Sequence, residues 1–139
     1  MKFIPTTARI SLVLVLLFLA SCSSVKERPT ALAGKAVDTD SPRYLSELAQ
    51  EHYEYKEYDQ ALFLYLKLVE RFSSQKDRFE KELAWAHYEI GFIYLLQGRT
   101  NKAKESFNRV LNDFSILAPR TLAEERLAEL SKKKIDKKS

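Results

Sequence analysis

His52 and His87, together with a scatter of carboxylates, have the widest chemical repertoire in this chain. An imidazole can ligate a metal or move a proton near neutral pH, and two facing carboxylates can divide acid and base roles. The spacing supports neither use. Both histidines fall on apolar stripes of predicted helices, where a packed, hydrogen-bonded ring is expected, and no metal-ligand spacing surrounds them. Glu51, Glu54, Glu57 and Glu89 are spread as solvated helix faces, with no motif forcing a pair together. All three glycines are isolated, so no loop is built to cradle phosphate. No serine or threonine stands in a nucleophile-elbow context. A hydrolase would have to rest on two packed histidines, so the chain is read as a binding protein, not an enzyme, with no metal and no dissociable cofactor expected.

The one cysteine, Cys22, excludes a disulfide framework and a thiolate metal site. Its context suggests another chemistry. Lys2 and Arg9 form a positive n-region, and residues 10–19 form an apolar run of the length of a signal h-region. That run is shorter than the roughly 20 residues needed to span a bilayer. Leu19-Ala20-Ser21-Cys22 follows and resembles a bacterial lipobox. The resemblance implies a signal peptide over 1–21, cleavage before Cys22, and a covalent lipid on its sulfur. Each buried CH₂ of such an anchor adds about 0.8 kcal/mol, so two or more chains hold stably. Ser23, where an Asp would favour the inner membrane, implies a lipid-anchored envelope protein on the periplasmic face of the outer membrane. Residues 22–40 are polar and small, with Pro29 and Gly34, and read as a lipidated flexible tether.

Charge is uneven. The net +4 of the chain is matched by the basic tail over 132–139, where five lysines oppose Asp136. Residues 41–131 hold thirteen Arg and Lys against fifteen Asp and Glu. The domain therefore lacks the basic face that a nucleic-acid partner requires. The tail reads either as a frayed, solubilising end or as a contact with anionic lipid, where each Lys near the surface is worth about 1 kcal/mol.

The remaining elements predict an all-α fold of about five helices over 41–131. Ser41-Pro42 has the form of an N-cap and first helical residue, and Leu45, Leu48, Ala49 and His52 recur at helical spacing. A second helix is predicted from Tyr58 to Phe72, with Phe63 and Leu66 projecting off its main apolar face. A third runs from about Gln75, capped by Ser74, to Gln97, with Gly98 as its C′ residue. A fourth covers Thr100 or Asn101 to Asp113. The last begins either at Thr121-x-x-Glu124, which has capping-box form, or earlier, with Pro119 in its first turn. Beyond Ser131 the lysines are expected to fray.

Helices one and two match helices three and four in register. Leu45-x-x-Leu48-Ala49-x-x-His52 aligns with His87-x-x-Ile90-Gly91-x-x-Tyr94, Ala61 with Ala103, and Tyr65-x-x-Leu68 with Phe107-x-x-Val110. This resembles the tetratricopeptide repeat (TPR), in which small residues let two antiparallel helices approach and aromatics fill the space beside them. The resemblance implies two TPR-like helix-turn-helix repeats and a C-terminal capping helix in a short right-handed solenoid. Lys56 stands where the turn glycine is usual and His52 where tyrosine is usual. The copies lie 42 residues apart instead of the usual 34, and the insertion between Ser73 and Glu82 is expected to lengthen helix three. YDQALFLYLKLVERFS is also similar to repeats of outer-membrane barrel-assembly lipoproteins (BamD-like), which carry about twice as many repeats.

Helix three is apolar on two opposite faces, so both must be covered. The repeat register accounts for His87, Ile90, Gly91 and Tyr94. It leaves Trp85, Tyr88, Phe92, Leu95 and Leu96, beside Arg43, Ser46, Gln50, Tyr53 and Glu54 of the first copy. The resemblance places these on the concave groove where the family holds peptides, with aromatics as anchors. Three occupants remain: a segment of another envelope protein, the chain's own last helix, or a second copy in a homodimer. An exposed apolar patch of this size calls for one of them. The expected function is an interaction scaffold held to the membrane through the N-terminal lipid, or an accessory subunit of an envelope assembly or transport complex. A module closing over a small apolar ligand is the alternative.

Overall fold

The computed structural model of the chain describes residues 39 and 41–136, with side chains to residue 133. Among these residues there are five α-helices and no strand: α1 (Pro42–Glu54), α2 (Tyr58–Phe72), α3 (Glu80–Leu96), α4 (Thr100–Asp113) and α5 (Leu117–Asp136). The all-α expectation holds.

Local chemistry explains most helix ends. At α1 the Ser41 hydroxyl accepts from the Tyr44 amide at 3.2 Å, and Pro42 takes the first helical position. Both satisfy or remove donors that have no partner inside the helix. At the other end, the Glu57 amide donates to the His52 carbonyl and the Lys56 amide to the Tyr53 carbonyl, each at 2.9 Å. This is a Schellman motif, which needs a left-handed residue at its turn, and Lys56 supplies it with φ 62°. α3 ends in the same way, through Arg99 to Tyr94 at 2.8 Å, Gly98 to Leu95 at 3.0 Å, and Gly98 at φ 72°. The two turns correspond bond for bond at the offset of the sequence repeat.

Packing follows the small residues. Ala49 and Ala61 are fully buried between α1 and α2, beside Tyr65 and Leu68. In the second hairpin, a Cβ built on Gly91 would lie 2.7 Å from Cε1 of Phe107, so only glycine admits that ring. Each buried Leu or Phe contributes about 1.5–3 kcal/mol. α1 packs on α2 and α3 on α4; α2 then packs on α3, α4 on α5, and α3 also meets both α1 and α5. Such an order of contacts is compatible with a short solenoid of stacked hairpins, with α3 in the middle.

Two boundaries, the start of α3 and the end of α5, differ from expectation, and the start of α5 takes the earlier of its two expected positions. α3 begins at Glu80, not Gln75; residues 73–75 form a 3₁₀ turn and residues 76–78 a further turn. Ser74 is exposed and caps nothing in this helix, whose preceding residue is Phe79. The polar run before Phe79 offers no side chain to bury, and the first apolar anchor, Phe79, docks edge-on against Phe72 at 5.2 Å. The insertion therefore becomes mostly a turn. α5 begins at Leu117 with Pro119 buried in its first turn, where a missing N–H is harmless. Thr121 donates to the Leu117 carbonyl at 3.1 Å instead of capping. α5 also runs beyond Ser131 to Asp136, because lysine is a good helix former and cations are favoured near a helix C-terminus. Arg120 fixes the α4–α5 corner by donating to the Leu111 carbonyl and, at 2.8 Å, to the Phe114 carbonyl. Among the described residues, no helix is long and apolar enough to cross a membrane.

Candidate functional site

The face of α3 carrying Trp85, Tyr88 and Phe92 lies between α1 and α5, and its rings form one continuous run. Tyr58 contacts Tyr53 with ring centroids 5.5 Å apart, and Tyr53 reaches from α1 to Phe92 at 6.4 Å. Phe92 stacks on Tyr88 at 6.3 Å with 17° between planes. Tyr88 meets Trp85 edge-on at 5.9 Å and Phe107 of α4 at 5.7 Å. Ring pairs at such separations add about 0.5–1.5 kcal/mol each beyond their buried area.

These residues are not equally accessible. Tyr88 is only 7 % exposed and belongs to the core between α3, α4 and α5 with Ala103, Phe107, Val110 and Ala123. Trp85 and Leu95 are half-buried against the same core, beside Leu122 and Leu127 of α5. The last helix thus covers one flank of the face. Phe92 is half-buried at its centre, and Leu96 is 48 % exposed at its end. On α1, Tyr53 and Ser46 are half-buried, while Gln50, Glu54 and Arg43 are exposed. Arg43 is drawn to Glu47 at 2.7 Å, away from the ring run.

Two further residues join the face: Arg126, which the sequence does not single out, and Glu89, which it reads as part of a solvated helix face and which the structure instead half-buries. Arg126 of α5 places its guanidinium carbon 5.5 Å from the centre of the Phe92 ring. Its Nη1 donates to both oxygens of Glu129, at 2.9 and 3.1 Å. Hydrogen bonding to the Tyr88 hydroxyl, and then to Glu129, holds its pKa above the ordinary arginine value. Glu89 is half-buried on α3, and burial pushes its pKa up from 4.5 to about 6. The Tyr65 hydroxyl is pushed up by burial first and by Glu89 second; Tyr53 is raised by burial, then by Tyr58 and Glu89. Glu89 was legible, since it lies four residues after Trp85 and three before Phe92 on a helix. Arg126 was not, because its place depends on how α5 crosses α3.

The face presents rings for apolar anchors, a guanidinium held by Glu129, and a carboxylate titrating near neutrality. Outside it, His52 Nδ1 lies 2.5 Å from Oε2 of Glu57 at the α1–α2 turn. His87 is buried beside Phe114, with ring centres 5.5 Å apart. Burial, then the Arg109 charge, lowers the His87 pKa to about 4, against a smaller opposing effect of Asp113. Among the described residues no group of three or more His, Cys, Asp or Glu side chains is placed to hold a metal ion. The expected signal segment 1–21, the expected lipidation residue Cys22 and all but Thr39 of the expected tether 22–40 lie outside the described residues, as do the side chains of the tail from 134 onward. No protein-family model, curated protein or solved structure matches this chain.

Proposed function

We propose that residues 41–131 are a two-repeat, TPR-like binding module of an envelope lipoprotein anchored through Cys22, and that the shared face of α1 and α3 holds a segment of another envelope protein. The observation that carries this reading is Phe92. It is half-buried at the centre of a face where α1 contributes an aromatic ring and α5 a guanidinium. An apolar or aromatic side chain of a peptide seated there would meet Tyr53 and Phe92. Its basic groups would meet Glu89, and its acidic groups Arg126. Charged groups beside aromatic anchors are the usual composition of an interface centre and rim.

The test is site-specific photo-crosslinking in cells of the source organism. A crosslinker at Gln50, exposed on the α1 side of the face, is expected to capture one discrete envelope protein. A crosslinker at Phe63, on the outer surface of α2, should not capture it. Equal capture at both positions, or none at Gln50, overturns the reading. The anchor is tested separately by metabolic labelling with an alkyne fatty acid, which Cys22→Ser should abolish.

A further inference from the structure

The opposite arc of α3 carries a second feature, which the proposed function leaves unused. There α2, α3 and α4 line an open cleft of about 340 Å³, at the lower end of the range for small-molecule sites. Its apolar walls are Leu66 and Val69 from α2 and Ile90 and Tyr94 from α3. Leu66 is 43 % exposed, so the apolar surface that looked superfluous on helix two forms one side of a concavity.

The polar groups are placed asymmetrically. His87 lines the cleft with only 9 % of its surface exposed, and among the described residues its ring nitrogens have no hydrogen-bond partner. Its ring nitrogens are not sealed from solvent, so a group entering the cleft can reach them. Ser106, also buried, is already committed, its hydroxyl donating to the Lys102 carbonyl at 3.1 Å. Lys102, Glu105 and Arg109 follow on the same face of α4 and form the rim. Glu105 reaches Arg109 only at 3.5 Å, and the Lys102 ammonium sits 5.5 Å from the centre of the Tyr94 ring. Two cations and one carboxylate line the mouth, with Asp113 near enough to oppose part of the Arg109 charge at His87. Burial and the Arg109 charge keep His87 neutral, so its ring offers one N–H donor.

The geometry points to a binding site for a small amphipathic carboxylate, with its apolar body against Leu66, Val69, Ile90 and Tyr94 and its carboxylate between the His87 imidazole, Lys102 and Arg109. The charged group would supply the acceptor that His87 lacks, and the cations at the rim would screen it as it leaves water. A free short-chain acid and the C-terminal leucine of a peptide present the same chemistry.

Ring-nitrogen NMR of the full chain separates these outcomes, because its two histidines give two distinguishable signals. Hexanoate and N-acetyl-leucine are titrated to about 10 mM, the range in which weak small-ligand binding saturates. The expected result is a saturable shift of His87 with His52 unmoved; the tighter of the two probes names the source as free acid or peptide end. Hexan-1-ol, the uncharged counterpart, should bind at least about tenfold more weakly. The Lys102→Gln, Arg109→Gln double variant should also weaken binding about tenfold. Both side chains are exposed, so its circular dichroism should match the parent. The proposal is overturned if neither acid moves His87, if the alcohol binds as well as the acids, or if the double variant binds as the parent does.

Discussion

The two hairpins share a backbone plan and differ in what covers them. α1 and α3 end in the same pair of turn hydrogen bonds, and the small residues Ala49 and Gly91 sit at equivalent points of the two interfaces. At equivalent outward positions, however, α1 carries Arg43, Ser46, Gln50 and Glu54 where α3 carries Trp85, Tyr88, Phe92 and Leu96. The contacts explain the change. α3 is flanked by α1 and α5, whereas α1 meets only α2 and α3 among the prominent helix contacts. An apolar row is stable on α3 because α5 takes one flank of it from water; the same row on α1 would lie open. A repeat thus preserves the residues facing inside its hairpin and varies those facing the next one.

The comparison can be broken most severely at Phe107, which is fully buried and fills the space Gly91 leaves. Phe107→Ala should lower unfolding free energy by about 3–5 kcal/mol, read by chemical denaturation, with α4 and α5 losing protection from hydrogen exchange before α1. If α1 loses protection equally, the hairpins unfold as one unit.

His87 occupies the position that Leu45 holds in the first hairpin, and this contrast titrates. The unfolded chain takes up the histidine proton near pH 6.5, whereas the folded state resists it down to about pH 4. The stabilisation is therefore complete above pH 6.5 and is lost as pH falls toward 4, by about 3 kcal/mol. His87→Leu, which restores the residue of the first hairpin, should remove that loss. Glu89 works in the opposite direction. Its folded pKa of about 6 against an ordinary 4.5 means the folded state holds the proton more tightly. Its contribution is complete below pH 4.5 and disappears as pH rises through 6, by about 2 kcal/mol. The parent's acid destabilisation should thus be partly masked, and Glu89→Gln should deepen it by that amount in denaturant midpoints at pH 7 and pH 4.5.

Smaller effects test the shared plan. Gly91→Ala places a methyl 2.7 Å from the Phe107 ring, a clash costing about 1–3 kcal/mol against a helix-propensity gain of about 1 kcal/mol. A net loss in thermal midpoint is expected, although the first hairpin carries alanine there without harm. Lys56→Gly should raise stability by about 0.5–1 kcal/mol, because glycine enters the left-handed turn without the Cβ penalty and gives back part of that gain in chain entropy. An unchanged midpoint would mean that the lysine turn is not strained.

Several of these features were legible beforehand for a physical reason. Caps, turns and the small-residue register depend on residues within one helix or one hairpin, so Ser41-Pro42, Gly98 and the recurrence of Ala49 at Gly91 and of Ala61 at Ala103 could be read from spacing alone. The start of α3 could not, because it rests on Phe79 finding Phe72 across the insertion. Nor could the start of α5, because the buried Pro119 and the bonds from Arg120 to the end of α4 form only once the corner is packed.

By itself the sequence determined five helices, their repeat and an α3 that has to be covered on both sides, since helix periodicity assigns each side chain to a face. Only the tertiary structure decided what does the covering. It set α5 over the flank of Tyr88 and Leu95, brought Arg126 onto Phe92, and placed His87 in a cleft rimmed by Lys102 and Arg109. Those outcomes depend on how whole helices cross, which is settled by the packing of surfaces distant in the chain.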